Sequence, residues 1–175
     1  MLSFCANGTR AMIPSGSCVK MVLPDKNSFV VAELTRSRIL RHYFSGPKKG
    51  STETFASNLP GHPDNVRLSR NGTLWVGLSA VRHAGQFNLL DAAASRPAWR
   101  QLVKDVTPSW VWSSLLPHVK GGHGIVLQLS LEGKIISSLH DKTGTIVDVS
   151  QVTDGGDKLY LGSYNKKFIA VVDKY

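Results

Sequence analysis

The chain has 175 residues, 42% of them hydrophobic and 19% charged, and carries a formal net charge of +9. This composition is typical of a globular chain the size of one ordinary domain. The basic residues are dispersed, without a long basic run or interleaved aromatic residues, which argues against a nucleic-acid partner. No stretch has the length of a membrane span and residues 1–4 lack the regions of a signal peptide, so we expect no targeting signal within the chain.

The pattern of apolar and turn-forming residues changes at about residue 18. Residues 1–18 show neither helical nor strand periodicity, and we expect an irregular amino-terminal segment there. Beyond it, short apolar runs alternate with turn signals, which is the pattern of an all-β chain. The first predicted strands are Val19–Leu23, Phe29–Glu33, Arg38–Phe44 and Thr52–Phe55.

The next stretch, Leu59–Val66, is rich in turn-forming residues and runs into a further predicted strand, Val66–Leu68. Its two prolines restrict the backbone and discourage helix, so we expect a stiff loop. Asp64 and Asn65 are adjacent, and both offer the hard oxygen atoms that calcium prefers. From these residues alone, the simpler interpretation is an Asx-type turn in which Asp64 only caps its own backbone, and a metal site is the alternative.

A similar phrase recurs along the chain: Leu23–Ala32 resembles Leu68–Gly77, and both resemble Val152–Gly162. Each copy consists of a strand end, a polar turn with Asn, Asp or Gly, and a strand of aromatic and aliphatic residues. About 45 residues separate the first two copies, as expected for β-propeller blades of about 40–50 residues with four short strands each. The longer interval before the third copy requires an insertion.

That insertion covers about residues 86–118. Gln86–Val106 has the apolar spacing of a helix broken near Pro97, and Ser109–Val119 adds a second apolar segment that contains two tryptophans. The two segments either pack against a sheet or form a helical lid over one end of the propeller, in contact with ligand or membrane. Both interpretations stay open at this point.

Strand counting gives about three blades, which cover Val19–Ala56, Asn65–His140 with the insertion, and Val147–Val172. Closed propellers use about four to eight blades, so the chain is predicted to be a partial propeller. Residues 19–175 are then the carboxy-terminal blades of a longer protein. Exposed strand edges would make such an open array prone to aggregation or dependent on a partner.

The motifs of the chain, taken in order, resemble the strictosidine-synthase-like family, and most closely its animal branch. They extend from about Leu23 to the carboxy terminus and comprise Val31–Glu33 with Arg36–Ile39, Asn58–Gly61 with Pro63–Asn65, Trp75–Gly77, Leu90–Asp91, Arg96–Pro97, Ser138–Asp141 and Leu159–Ser163. The resemblance implies a six-bladed β-propeller whose helical lid lies at the predicted insertion. It also implies a membrane-associated protein of the secretory pathway, held by an amino-terminal anchor upstream of this chain.

Calcium-dependent lactonases and esterases related to this family, such as paraoxonase, bind a metal at the centre of the propeller. Asp64 and Asn65 match their Asp-Asn pair at the start of a blade, so the resemblance implies that both are Ca²⁺ ligands. A further Asn ligand normally precedes an inner strand, and Asn7 resembles it after displacement by an insertion, or by a gene-structure error around Thr9–Ser17. The remaining ligands would lie in blades absent from this chain.

The resemblance leaves two functions of different kinds. One is a calcium-dependent hydrolase of the arylesterase or lactonase type, acting on a small ester or lactone. The alternative is a non-catalytic, glycosylated propeller that is displayed at a membrane or in the endomembrane lumen and uses its rim as a binding surface. A weaker third function is association of the basic surface with acidic lipid or nucleic acid.

The plant synthase of this family has a catalytic Glu where Ser150 stands in this chain. Serine cannot act as the general acid or base of that condensation at ordinary pH, so true strictosidine synthase activity is not expected. Because most of the metal site is missing, we expect this chain by itself to be inactive. The sequence assigns no catalytic side chain and no specific protein partner.

Two further patterns have simple interpretations. Asn7–Thr9 and Asn71–Thr73 fit the glycosylation sequon, although Asn-Gly is equally common in hairpin turns. Four histidines lack a paired metal-ligand spacing and are predicted to be single surface or turn residues, namely His83, His118, His123 and His140.

Overall fold

The computed structural model describes residues 5–6, 9–10, 17–82, 97–108, 111 and 122–174. Antiparallel strands dominate these residues and form two four-stranded sheets, one three-stranded sheet and one short pair. The short pair consists of β1 (Cys5–Ala6) and β2 (Thr9–Arg10). It lies in the segment for which the sequence predicts no regular structure.

Blade 1 is a four-stranded meander in which each strand pairs with the next one along the chain. A short 3-10 turn, Leu34–Arg36, connects its second and third strands. The strands are β3 (Ser17–Val22), β4 (Ser28–Glu33), β5 (Arg38–Tyr43) and β6 (Thr52–Ala56).

Blade 2 has the same four-stranded order, with its first and last strands at opposite edges. Its strands are β7 (Gly61–Leu68), β8 (Leu74–Val81), β9 (Gly124–Leu129) and β10 (Ile135–Asp141). Blade 3 is a three-stranded meander of β11 (Val149–Asp154), β12 (Lys158–Ser163) and β13 (Ala170–Asp173). The three sheets follow the three predicted blades closely.

The connection between β8 and β9 contains one α-helix, α1 (Pro97–Val106). The helix begins at the residue near which the sequence predicts a break, because proline suits the first helical position, where its missing N–H needs no partner. Leu102 and Val106 of this helix are 57% and 69% exposed. The other residues of the predicted insertion, apart from 107, 108 and 111, lie outside the described residues, and its role as a lid stays a prediction.

The helices that the structure describes include none with the length and apolar character needed to cross a lipid bilayer.

The recurring phrase of the sequence forms a hairpin turn in each blade, with four, three and two residues between the bonded positions in blades 1, 2 and 3. A backbone N–H donates back across the hairpin from Leu23 to Ser28 (2.9 Å), from Ser69 to Thr73 (2.7 Å) and from Gly155 to Lys158 (2.9 Å). In blade 2, Gly72 adopts a φ of 76°, which an L side chain rarely tolerates. The predicted blade repeat is therefore confirmed at its turns.

Blade 2 lies between the other two blades and is buried on both faces. Side chains alternate along a strand, so β8 directs Leu74 and Val76 into an apolar cluster shared with blade 1 and Trp75 into one shared with blade 3. In β9, Leu127 and Val126 divide in the same way. This two-sided burial explains why these strands read as continuous apolar runs, and the all-β arrangement is that of a partial propeller.

The innermost strands of the three blades meet along one side of the molecule. Strand β7 contacts β3 and β4 of blade 1 and β11 of blade 3. The prediction of a loop over Leu59–Val66 is wrong for most of these residues, because strand β7 already begins at Gly61. Register shifts around Pro63 let the strand accept a proline, which cannot donate a ladder hydrogen bond.

Candidate functional site

Asp64 and Asn65 lie in a β-bulge of the innermost strand of blade 2. The residues on either side keep single partners on β8, whereas Asp64 and Asn65 both stand opposite Gly77. A bulge of this kind adds a residue to one strand, bends it and re-aims a side chain. The local structure of the pair is thus a bulged strand, and not the Asx turn that is the simpler interpretation of these residues taken alone.

Gly77 lets the inner strand of blade 3 come close to this bulge. A Cβ built on Gly77 would lie 2.6 Å from the carbonyl oxygen of Val149, at the beginning of β11. Only glycine permits such an approach of two backbones. The bulge on β7 and the start of β11 are consequently held next to each other.

The amide of Asn65 is satisfied on one side only. Its Nδ2 donates to the backbone carbonyl oxygen of Ser150 over 2.8 Å, which links β7 to β11. Its Oδ1 is buried and has no hydrogen-bond partner among the described residues. An orphaned buried acceptor costs about 1–3 kcal/mol, and a hard cation is one ligand that would use its lone pairs.

Trp75 is the other described residue with a buried, unpartnered polar side-chain atom, its Nε1. This atom is a donor, and the indole packs in the apolar cluster between blades 2 and 3. It cannot ligate a cation. Asn65 differs because its orphaned atom is an oxygen and its neighbour in the chain is a carboxylate.

Strand β7 is anchored to blade 1 by a buried histidine. His62 is 1% exposed, and its Nδ1 lies 2.9 Å from the carbonyl oxygen of Leu34 and 3.1 Å from Oγ of Ser37. Because a carbonyl can only accept, Nδ1 carries the proton and donates to Leu34. This contact fixes the strand two residues before Asp64.

On its other side, β7 is tied to blade 3 in three places. After the contact from Asn65 to Ser150, Arg67 Nη2 donates to Gln151 Oε1 over 3.3 Å, and Ser69 Oγ donates to Asp154 Oδ2 over 2.6 Å. The partners advance together along both strands, so β7 and β11 run in the same direction. The bulge thus sits on a strand that is held from both flanks.

Asp154 is the most strongly bonded carboxylate of this interface. Its Oδ2 also accepts from the Lys174 ammonium (2.6 Å) and the Arg70 amide (3.1 Å), and its Oδ1 accepts from the Gly156 amide (2.9 Å). Burial alone would raise the pKa of Asp154, but these hydrogen bonds outweigh it and hold the pKa well below its ordinary value. Asp154 is a charged anchor between the blades.

The oxygen atoms of Asp64 and Asn65 are of the type that a hard cation binds, but two side chains are too few for a complete coordination shell. Consecutive residues supply a carboxylate and an orphaned amide oxygen, both of which are ligand types of calcium, and calcium takes about six to eight oxygen ligands. Among the described residues, no three His, Cys, Asp or Glu side chains converge on one point. Two side chains are therefore the contribution that this part of the chain offers, and backbone or other oxygens must complete the shell.

The structure brings together some of the residues that the sequence selects. Asp64, Asn65 and Ser150 lie at one place, with the Ser150 carbonyl bonded to Asn65 and its Oγ donating to the Gly162 carbonyl over 3.2 Å. The third predicted ligand, Asn7, lies outside the described residues. The assignment of all three as metal ligands stays a prediction.

Asp148 is a residue of this region that the sequence analysis did not single out. It directly precedes β11, is 5% exposed, and has a φ of 52° in the left-handed region. Its Oδ2 accepts from Asn165 Nδ2 over 3.0 Å. An Asp immediately before an inner strand is the available signal, because Asp and Asn tolerate this backbone conformation better than most residues do.

Several known proteins are similar in sequence to most of this chain. No protein-family model matches the chain. It is 35% identical over 153 residues to adipocyte plasma membrane-associated protein of Salmo salar, and the aligned part is 87% of this chain and 36% of that protein. The human protein of the same name is 35% identical over 147 residues, which are 83% of this chain and 34% of that protein.

A plant protein is similar to about the same degree. Strictosidine synthase-like protein 10 of Arabidopsis thaliana is 34% identical over 152 residues, which are 85% of this chain and 39% of that protein. The chain spans between a third and two fifths of the length of these curated relatives. As its motifs predict, the chain is a homologue of the adipocyte plasma membrane-associated and strictosidine-synthase-like proteins.

Proposed function

We propose that the chain is part of a calcium-dependent hydrolase of the arylesterase or lactonase type. The observation that supports this proposal is the bulge on β7, where the buried Oδ1 of Asn65 has no partner among the described residues and the Asp64 carboxylate is adjacent. An unpaired oxygen is costly to keep in a packed interface, so its retention fits a ligand that uses it.

In this proposal Asp64 and Asn65 hold the ion from the innermost strand of blade 2. A bound Ca²⁺ would supply Lewis-acid chemistry, because it polarises the carbonyl of an ester or lactone and stabilises negative charge on its oxygen. The chain's own residues orient the ligands: His62 fixes β7 against blade 1, and the Ser150 carbonyl fixes the Asn65 amide so that Oδ1 is the free end.

Ser150 limits the reaction class. Its hydroxyl donates to the Gly162 carbonyl, and a serine hydroxyl is by itself neither a general acid nor a general base at neutral pH. Activation of the attacking water therefore falls to other groups of the complete protein. Substrate selectivity and turnover belong to that longer protein, and we expect this chain alone to bind the ion without turning over an ester.

Calcium titration of this chain tests the metal ligands. We expect a weak site, with a dissociation constant of about 10⁻⁴–10⁻³ M, in isothermal titration after chelator treatment. Asp64→Ala and Asn65→Ala should each abolish it. The matched controls Asp157→Ala and Asn71→Ala alter exposed turn residues and should leave it intact. Equal binding by the Asp64→Ala and wild-type chains would contradict the assignment.

Turnover tests the reaction. The longest product of the gene should hydrolyse an aryl ester or a lactone, lose this activity with a calcium chelator and regain it with added Ca²⁺. Hydrolysis that persists in chelator and in the Asp64→Ala protein would contradict a calcium-dependent mechanism.

A second candidate is a non-catalytic propeller that serves as a binding module at a membrane. The names of the animal relatives refer to the plasma membrane, and blade 3 presents exposed apolar side chains on its second and third strands, β12 and β13. Tyr160 and Val171 are direct cross-strand partners and are 43% and 50% exposed. Partner binding that survives Asp64→Ala in a protein without measurable ester turnover would favour this function over the hydrolase.

A further inference from the structure

We propose that His123 and His140 form a second metal site, for a divalent transition-metal ion, at the outer edge of blade 2. The Nε2 atom of His123 lies 3.1 Å from the Nδ1 atom of His140. The sequence predicts single surface or turn histidines here. The contact between the two rings is exposed, as a surface position requires, but the histidines are not single, because 17 residues of separation conceal a cross-strand neighbourhood. His123 precedes β9 by one residue, and His140 pairs with Ile125 near the end of β10.

The separation of the two nitrogens suits one shared ion. Zinc binds imidazole nitrogen at about 2.0–2.1 Å, and a tetrahedral angle at the metal then places two such nitrogens about 3.3 Å apart. The observed 3.1 Å is within a few tenths of an ångström of this value. The imidazole planes are inclined by 55°, so the rings are not stacked face to face.

The second nitrogen of His140 is oriented by a neighbouring side chain. Nε2 of His140 lies 2.9 Å from Oγ of Ser138 on the same strand. When this nitrogen donates to the hydroxyl, Nδ1 of His140 accepts the hydrogen bond from His123 Nε2. An ion would replace this hydrogen bond once His123 carries its proton on Nδ1 instead of Nε2. A partner on the distal nitrogen is the usual way in which proteins fix the tautomer of a metal-binding histidine.

Two carboxylates lie near the histidine pair. His140 lines a cavity of about 390 Å³ between blades 2 and 3, together with Asp141 and Asp173. Asp141 is engaged by its own loop, since it accepts from the Thr143 amide (2.8 Å) and the Ile146 amide (2.6 Å), which leaves water to complete the coordination shell. Asp173 is paired with the Lys158 ammonium over 3.2 Å, so both carboxylates act on the site only through the local electrostatic potential.

Imidazole nitrogens select Zn²⁺, Cu²⁺ or Ni²⁺ over Ca²⁺, which takes oxygen ligands. This site is therefore chemically distinct from the Asp64–Asn65 bulge, and it lies at the opposite edge of blade 2, on β10 instead of β7. A bound ion would link His123, just before β9, to His140 on the outermost strand, β10. It would therefore stabilise the beginning of β9 against the edge of the sheet.

Titration of the purified chain with ZnCl₂ and CuCl₂ at neutral pH tests the site. We expect one ion per chain, and an affinity lowered by about tenfold or more in His123→Ala and in His140→Ala, since loss of an outer-shell partner alone costs about 10–100-fold. His42→Ala is the matched control because His42 belongs to blade 1 and contacts Thr52, and it should bind as the wild type does.

Electron paramagnetic resonance of the Cu²⁺-loaded chain provides a second measurement. The wild-type spectrum should show coupling to two imidazole nitrogens, and each histidine variant should show fewer. Circular dichroism and thermal unfolding check that the variants keep the fold. Wild-type affinity in both folded histidine variants, or a wild-type spectrum with at most one nitrogen ligand, would overturn the proposal.

Discussion

Two polar contacts join the same pair of inner strands, β7 and β11, and they are built in opposite ways. At Asp154 the carboxylate accepts from four donors in two blades, so the buried charge is fully satisfied. At Asn65 the amide makes one strong bond to Ser150 and leaves its buried oxygen without a partner among the described residues. The hydrogen bonds of Asp154 therefore stabilise the fold, whereas the unpaired oxygen of Asn65 offsets part of the stabilisation from its one hydrogen bond.

This difference is the one expected between a structural polar contact and the proposed ligand-binding contact within one interface. A buried polar group that contributes to folding has its partners within the protein, whereas a group kept for a ligand leaves an atom unpaired until the ligand arrives. Substitution of Asp154 should lower the free energy of unfolding much more than substitution of Asn65. Substitution of Asn65 should in turn lower the affinity for calcium more than substitution of Asp154.

Removal of the Asp154 carboxylate should have the largest effect on stability. Asp154→Ala leaves Lys174, whose side chain is only 13% exposed, without its partner and unpairs the Ser69 hydroxyl. We expect a loss of about 3–5 kcal/mol in the free energy of unfolding, measured by urea denaturation. Asp173→Ala removes a carboxylate that is 80% exposed and should cost at most about 1 kcal/mol. Equal effects of the two substitutions would show that the four-donor contact carries no special weight.

Acid should remove the same contribution in the wild-type protein. The pKa of Asp154 is lower in the folded than in the unfolded state, so its carboxylate stabilises the fold fully above the unfolded value of about 3.9. As the pH falls below that value and towards the folded pKa, protonation progressively removes this stabilisation. Asp154→Asn lacks this titration, and its free energy of unfolding should fall less than that of the wild type between pH 7 and pH 3. Parallel pH profiles for the two proteins would contradict this assignment.

A methyl group at Gly77 should disturb the candidate site through a clash with strand β11. The added Cβ would meet the Val149 carbonyl oxygen at 2.6 Å and push β11 away from β8, which weakens the bond from Asn65 to Ser150. We expect Gly77→Ala to cost about 1–3 kcal/mol and to weaken calcium binding. Gly162→Ala is the control, since its Cβ would find its nearest neighbour at an ordinary 3.8 Å. Gly77→Ala with wild-type stability would show that the two strands can separate without cost.

The sequence predicts the blades better than the site for physical reasons. The turns at Leu23, Ser69 and Gly155 are local, so residue type alone reveals them, and strand alternation follows from them. The bulge at Asp64 depends on pairing with β8 and on the approach of β11 to Gly77, which no local pattern encodes. For the same reason the prolines near Asp64 suggest a loop where tertiary contacts make a strand.

The hydrogen bonds between side chains of different blades cannot be predicted from local sequence either. Ser150 and Asn65 are 85 positions apart, and so are Ser69 and Asp154, because the connection between β8 and β9 lengthens the interval from blade 2 to blade 3. Arg67 and Gln151 are 84 positions apart, so the pairing of β7 with β11 keeps nearly one interval along both strands. The orphaned state of Asn65 Oδ1 needs the atomic structure, because it depends on what surrounds the atom.

The smallest expected effect on stability is at Asn65, and it distinguishes the two contacts most sharply. Asn65→Ala loses the hydrogen bond to Ser150, worth about 0.5–1.5 kcal/mol, but it also removes a buried acceptor that costs about 1–3 kcal/mol to leave unpaired. The two terms oppose each other, so the free energy of unfolding should change by less than about 1 kcal/mol in calcium-free buffer. Added Ca²⁺ should raise the melting temperature of the wild type and not that of Asn65→Ala, because an ion that binds only the folded chain stabilises it by mass action. A large destabilisation without calcium would mean that Asn65 is a structural residue like Asp154, with its oxygen satisfied in solution by water or by another part of the chain, and the main support for a cation at the bulge would be lost.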